Sequence, residues 1–219
     1  MKKILILFLT ILVIFVFAFS GIGCGKKEPN NNNGNNPTIE IPVGKQYVSH
    51  FDKYEELCLW TFPYADKKYD DKTWWSSYHT AKVNVDENFI REGVGSMYLK
   101  TDYINSTSYD LYKVLKTHSD NSARGTLANS IYGAESITFE VYNCTSYSIK
   151  ATMEVNTITT TVMKFSAKCE PNQWTVITAP VTENVTATID NYRLSLKNLS
   201  GAHNFDVYID NFYIQFPEK

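Results

Sequence analysis

The sequence predicts an all-β fold, an antiparallel β-sandwich, and three observations carry that prediction. The terminal run Val207 to Phe216, VYIDNFYIQF, alternates apolar and polar residues with the period of two that buries one face of a strand. Upstream of it, turn residues cut the chain into short alternating runs: Glu92-Gly93, Gly133, Pro171-Asn172, Glu183-Asn184 and Ser200-Gly201. Helical periodicity is weak throughout, with room for a single helical turn near Lys53 to Leu57 or within Tyr109 to Lys116. Many short strands at such spacing close into sandwiches or barrels.

The chain opens with Lys2-Lys3 and the apolar run Ile4 to Phe19, a positive segment and a hydrophobic segment of secretory type, too short to be a comfortable membrane span. The following Ser20-Gly21-Ile22-Gly23-Cys24 resembles a bacterial lipobox, in which a small residue precedes a cysteine that is lipidated and becomes the mature N-terminus. Gly23 and Cys24 fit that pattern; Gly21 departs from it, since a Leu is usual at that position. The resemblance implies a lipoprotein signal peptide over residues 1–23, lipid on Cys24, and a membrane-anchored protein at the bacterial cell surface. Residues 24–44 carry Lys26-Lys27-Glu28, an Asn run from Asn30 to Asn36 broken by Gly34, and Pro37 and Pro42. So little apolar surface cannot offset the entropy of ordering, and the segment reads as a disordered tether.

From Lys45 the texture changes, and residues 45–219 read as one domain. Strands are expected at Leu57–Phe62, Ala81–Val85, Ser96–Thr101, Ser136–Tyr142, Ser148–Val155, Thr160–Ala167, Trp174–Pro180, Tyr192–Leu196 and Val207–Phe216. In the last of these, Val207 and Ile209 alternate with Tyr208, while Phe212, Ile214 and Phe216 alternate with Tyr213 and Gln215. The two halves are out of phase, so a β-bulge or kink belongs at Asp210-Asn211. The 219-residue chain holds 21 Lys plus Arg against 23 Asp plus Glu, and that balance offers no basic surface to nucleic acid. With 15 Tyr, the composition suits strands with one wet face and surfaces that grip polar ligands.

Several of these runs, taken in order, resemble the galactose-binding-like jelly rolls that include many carbohydrate-binding modules. Arg91-Glu92-Gly93-Val94-Gly95-Ser96-Met97-Tyr98-Leu99-Lys100 is similar to their E-G-x-x-S-L-x-V signature, and Ile137 to Asn143 to their central strand. Gln173 to Ile177 resembles the strand that follows a turn, Val207 to Phe212 the terminal strand, and Ser49-His50-Phe51-Asp52 the opening motif. The resemblance implies a structural calcium held by Asp52 and Asp210, with Glu92 a third candidate. Such an ion needs six to eight oxygens, and a bulged backbone leaves carbonyls free to supply them. The competing reading makes Asp210 a cap on main-chain N–H groups.

Sugar recognition uses flat aromatic rings with amide and carboxylate groups beside them. Trp74 and Trp75, in DDKTWWSSY, lie in a polar stretch with Tyr78 close by, and these three are the expected stacking residues for a polysaccharide or glycan. Trp60 and Trp174 are assigned to packing. Among the other cysteines, Cys58, Cys144 and Cys169, one disulfide could form in an exported protein, with the pairing open. The four histidines show no metal-ligand spacing. No nucleophile elbow or phosphate loop occurs, and the recognised strand motifs are those of non-catalytic modules. A glycosidase or lyase would need paired carboxylates that no sequence motif reveals. Three functions follow, in this order: a surface-anchored, non-catalytic polysaccharide-binding module, a protein-binding or structural domain of a cell-surface assembly with no sugar ligand, and a jelly-roll glycosidase or lyase.

Overall fold

A computed structural model describes residues 41–57, 60–61, 73–75, 79–102, 106–114, 130–182 and 185–218. Its strands are β1 (Lys45–Ser49), β2 (Trp60–Thr61), β3 (Thr73–Trp75), β4 (His79–Asn84), β5 (Ser96–Thr101) and β6 (Ser108–Val114), followed by β7 (Ser136–Asn143), β8 (Ile149–Asn156), β9 (Thr161–Cys169), β10 (Trp174–Pro180), β11 (Asn191–Asn198) and β12 (Phe205–Gln215). They form two antiparallel sheets. The seven-stranded sheet runs β10-β7-β12-β5-β4-β3, with β1 also paired to β12, and the five-stranded sheet runs β2-β6-β11-β8-β9.

The inward residues of both sheets make one core. Ile137, Phe139 and Val141 of β7, Val207 and Ile209 of β12, and Leu194 and Leu196 of β11 are buried, each separated in sequence by an outward residue. Phe212 sits edge-on to Tyr192 at 5.1 Å and near Trp60 at 6.1 Å, which ties the two sheets together through aromatic contact. Each such fully buried side chain contributes roughly 1.5–3 kcal/mol of transfer free energy.

The terminal strand occupies the expected central position. On one side it pairs with β7 along its length, and on the other with β5 over Phe205–Ile209 and then with β1 over Phe212–Gln215. Its register shifts between Asp210 and Tyr213, and Asn211 takes a φ of 55° there. Asn tolerates this left-handed conformation better than most residues, so the phase change in the sequence is a bulge at the junction of β5 and β1.

The single helical turn falls at Tyr54–Leu57, within the first of the two stretches that allow one, whereas Ser108–Val114 is a strand that buries Tyr109 and Leu111. Two local expectations need correction. The run Leu57–Phe62 divides into the end of a one-turn helix, Tyr54–Leu57, and the two-residue β2. Cys144 and Cys169 are both free thiols, so neither supplies the disulfide that export would permit. Cys58, Cys24 and residues 1–40 lie outside the described residues. The domain's hydrogen bonding includes Gly44, whose N–H donates to the Pro217 carbonyl at 3.2 Å.

Candidate functional site

Outward positions of the seven-stranded sheet carry an aromatic row. Trp174 on β10 stands opposite Tyr142 on β7, Tyr142 opposite Tyr208 on β12, Tyr208 opposite Tyr98 on β5, and Tyr98 opposite Lys82 on β4. Tyr208 lies between the buried Val207 and Ile209, and Tyr98 between the buried Met97 and Leu99, so strand alternation alone turns the rings outward. Ring centroids are 5.6 Å apart from Trp174 to Tyr142, 6.3 Å from Tyr142 to Tyr208 and 4.9 Å from Tyr208 to Tyr98. All four side chains are half-buried. At the usual strand spacing the row spans about 14 Å from β10 to β5. Each cross-strand aromatic pair contributes about 0.2–1 kcal/mol.

The connection from β4 to β5, Val85–Gly95, is a strap laid over this row. Asp86 caps its short 3₁₀ turn, Glu87–Phe89, by accepting from the Asn88 N–H. Phe89 lies flat on Tyr208, at 4.2 Å and 4° between ring planes, and meets Tyr142 edge-on at 5.1 Å. Two residues on, the Arg91 guanidinium stands 5.8 Å from the Trp174 ring centroid. The Lys82 ammonium is 5.5 Å from the Tyr98 ring.

Carboxylates of the sheet hold the strap down. The N–H groups of Arg91 and Glu92 donate to Asp210 Oδ2 at 2.7 and 3.3 Å, and Asn211 N–H donates to Asp210 Oδ1 at 2.7 Å. Glu140, opposite Asp210 on β7, accepts from Arg91 Nε at 2.8 Å and from Asn211 Nδ2 at 2.7 Å. At the far end, Asp52 Oδ1 accepts from Val94 and Gly95 N–H at 2.8 and 3.0 Å. Between these anchors Gly93 has a φ of +80°, and a Cβ there would come within 2.4 Å of Asp52 Oδ1. Only glycine fits that position.

Burial sets the electrostatics. It pushes the Asp210 carboxyl up to about 6 against the opposing pull of its three N–H donors, and the Glu140 charge adds to the rise. Asp206, beside Tyr98, is also raised by burial, although the Tyr98 hydroxyl and the Cys144 thiol donate to it. Burial lifts the Tyr208 hydroxyl to about 12 and the Cys144 thiol to about 12, so both stay protonated at neutral pH.

Asp52 and Asp210, the expected calcium ligands, do come to one strap, but their donor set does not suit a cation. Both Asp210 oxygens and one Asp52 oxygen face N–H hydrogens, whose partial positive charge would oppose an ion. Glu92 is bonded to Lys45 at 3.0 Å. Among the described residues no group of three His, Cys, Asp or Glu is placed to hold a metal. The arrangement is the capping of main-chain N–H groups that the sequence left as the competing reading.

Of the expected stacking residues, Tyr78 lies outside the described residues, and so do the side chains of Trp74 and Trp75. Their backbone forms β3 at the edge of the same sheet, Trp74 in register with Ala81 and Trp75 with Thr80. Ala81 is a core position and Thr80 an outer one, so Trp75 holds a register position on the face of the aromatic row. Trp60 is buried, as assigned. Trp174, assigned to packing, is instead half-buried on the outer face. Phe89, Tyr98, Tyr142 and Tyr208 went unnoticed. The available signal was an outward tyrosine at the centre of three separate strand runs, MYL, VYN and VYI.

Solved structures share this architecture. An arabinose-bound α-L-arabinofuranosidase matches with a TM-score of 0.52 and 12% identity over 79% of this chain and 26% of its own. An agarase matches with a TM-score of 0.50 and 9% identity over 80% of this chain and 25% of its own. The likeness is one of fold. The chain spans about a quarter of each enzyme. A family 11 carbohydrate-binding module from Clostridium thermocellum, solved with a mixed-linked tetrasaccharide, aligns over 82% of this chain and 99% of its own at 11% identity, with a TM-score of 0.49. No family of known sequences and no curated protein matches the chain.

Proposed function

We propose that residues 45–219 form a non-catalytic module that binds polysaccharide on the outer face of the seven-stranded sheet, and that lipid on Cys24 holds it at a bacterial cell surface. The observation that carries this reading is the in-register row Trp174, Tyr142, Tyr208 and Tyr98. Rings spaced at the strand interval offer successive apolar faces to a linear polymer, and Lys82, Arg91 and Asn88 supply donors for its hydroxyls. Trp74, Trp75 and Tyr78 are the further stacking residues that the sequence offers, the first two in β3 at the edge of the same sheet. The fold likeness to parts of an agarase and an arabinofuranosidase agrees with a role beside carbohydrate chemistry. A binding role is also supported by the carboxylates: Asp210 and Glu140, which face each other on this sheet, are buried and engaged by protein donors, unlike an acid pair open to substrate.

The rival is a protein-binding domain of a surface assembly. Val85 and Val94, 75% and 70% exposed at either end of the strap, are the residues such a partner would cover. Glycan-array screening and affinity electrophoresis of residues 45–219 separate the two. Tyr208→Ala and Trp75→Ala should each weaken retention by a bound polymer by on the order of 1–3 kcal/mol, by analogy with base stacking on aromatic rings. No retention across plant, algal, host and bacterial polymers would transfer the case to the protein partner. Breakdown of a polymer during the assay would overturn the non-catalytic role. Release of the full chain into the medium by Cys24→Ala tests the anchor, and unchanged membrane retention would refute it.

A further inference from the structure

We propose that the strap Val85–Gly95 is a lid on the aromatic row, with Phe89 as the intramolecular occupant of the stacking position on Tyr208 that a sugar ring takes when polysaccharide binds. The proposal rests on the polysaccharide reading and adds the position of the central stacking site and its regulation.

Phe89 meets Tyr208 in the geometry a stacked ligand would adopt, face to face with 4° between planes and 4.2 Å between centroids. The outward face of Tyr208 is therefore taken, and a pyranose can stack there only by displacing Phe89. The strap is built to let go. Its 3₁₀ turn contains no buried residue, and its main-chain bonds to backbone are local, Phe89 to Asp86 and Ile90 to Glu87. No ladder ties it to the sheet. Four side-chain carboxylates do so instead, Asp210 and Glu140 at Arg91, Asp52 at Gly95, and the strap's own Glu92 at Lys45 of β1. A segment fastened by a few side-chain bonds with little apolar burial opens at a lower free energy than the sheet beneath it. Gly93, in the left-handed region between the two fastenings, supplies the backbone freedom for a hinge.

Opening costs the bonds of the Arg91 and Glu92 N–H groups to Asp210, the ion pair of Arg91 with Glu140 and the Phe89 stack, and the incoming ring replaces the stack. A lid of this kind lowers apparent affinity by the fraction of molecules that are open. Removing Phe89 should therefore help the ligand, whereas a Phe89 that formed part of the platform would be missed.

Affinity electrophoresis of wild type and Phe89→Ala against a polymer retained by the wild type reads the sign directly: the lid predicts several-fold tighter retention of the variant. Amide hydrogen exchange on the ligand-free protein supplies the second measurement. The Arg91 and Glu92 amides should exchange through a local opening well before the β7–β12 ladder amides, even though both are bonded to a buried carboxylate. Weaker retention of Phe89→Ala, or exchange of Arg91 and Glu92 as slow as the ladder, overturns the lid alone. Failure of both proteins to bind any polymer overturns the polysaccharide reading, and the sugar-displacement half of the lid with it.

Discussion

The outer faces of the two sheets are built on the same alternation and present opposite chemistry. On the seven-stranded sheet the residues in register are Trp174, Tyr142, Tyr208 and Tyr98. On the five-stranded sheet a comparable row reads Tyr112, Arg193, Glu154 and Lys164, joined by ion pairs of Arg193 to Asp110 at 2.6 Å, Arg193 to Glu154 at 3.3 Å and Lys164 to Glu154 at 2.7 Å. Alongside it Lys197, Lys150 and Lys168 stand opposite one another. Inward residues on both sheets are interchangeable in kind, so the fold leaves the outer positions free. One face has spent that freedom on rings under a strap, the other on solvated charge.

The strongest way to break the comparison is to remove what both faces share. Phe212→Ala deletes the ring that touches Tyr192 and lies near Trp60, and it should cost about 3–5 kcal/mol in urea unfolding. Both faces should be lost in one transition, followed by Trp fluorescence and by circular dichroism. Separate transitions would mean that the sheets are energetically independent.

A smaller effect distinguishes the faces by pH. Asp210, with its folded pKa of about 6, lies above the ordinary Asp value of about 3.9. The neutral form is thus favoured by folding. Its contribution is fully present below the unfolded pKa and is lost as pH rises from about 4 through about 6, by roughly 3 kcal/mol. Other carboxylates follow their own courses, so the quantity to measure is the stability of wild type minus that of Asp210→Asn, which should fall between about pH 4 and about pH 7 and level off above. A flat difference would show that Asp210 is not desolvated as described.

Least of all should the charged face respond. Arg193→Ala removes pairs that are partly open to solvent, and the loss should stay within about 1 kcal/mol and shrink in salt. It should leave polymer retention unchanged. A loss of retention with Arg193→Ala would move the binding surface to the other sheet.

How far the sequence reaches follows from the same division. Ser96–Thr101 and Trp174–Pro180 form as read because each is a clean alternation bounded by turns. The bulge at Asp210 was visible as a change of phase. Ser108–Val114 was obscured because Tyr109, Tyr112 and the apolar residues after them also fit helical spacing, and pairing with β2 and β11 decides the matter. The aromatic row left only a scattered trace, the tyrosines central to MYL, VYN and VYI. Tyr98, Tyr142, Trp174 and Tyr208 are far apart in the chain, and only strand order and register make them neighbours. Trp74 and Trp75 drew attention because they are adjacent in sequence, a local signal for a property that is assembled non-locally.

The end-to-end placing of β1 and β5 along one edge of β12 also decides how the domain bears load. A pull on the chain ahead of Gly44 enters through β1, which is paired with β12 over Phe212–Gln215. The row's Tyr208 and Tyr98 lie on the other side of the bulge, where β12 pairs with β5. Were the chain moored and pulled through a bound polymer, as proposed above, β1 would peel from β12 first, while the half of β12 that carries Tyr208 stays paired on both sides. The bulge is in that sense a mechanical fuse, set between β1 and the aromatic row.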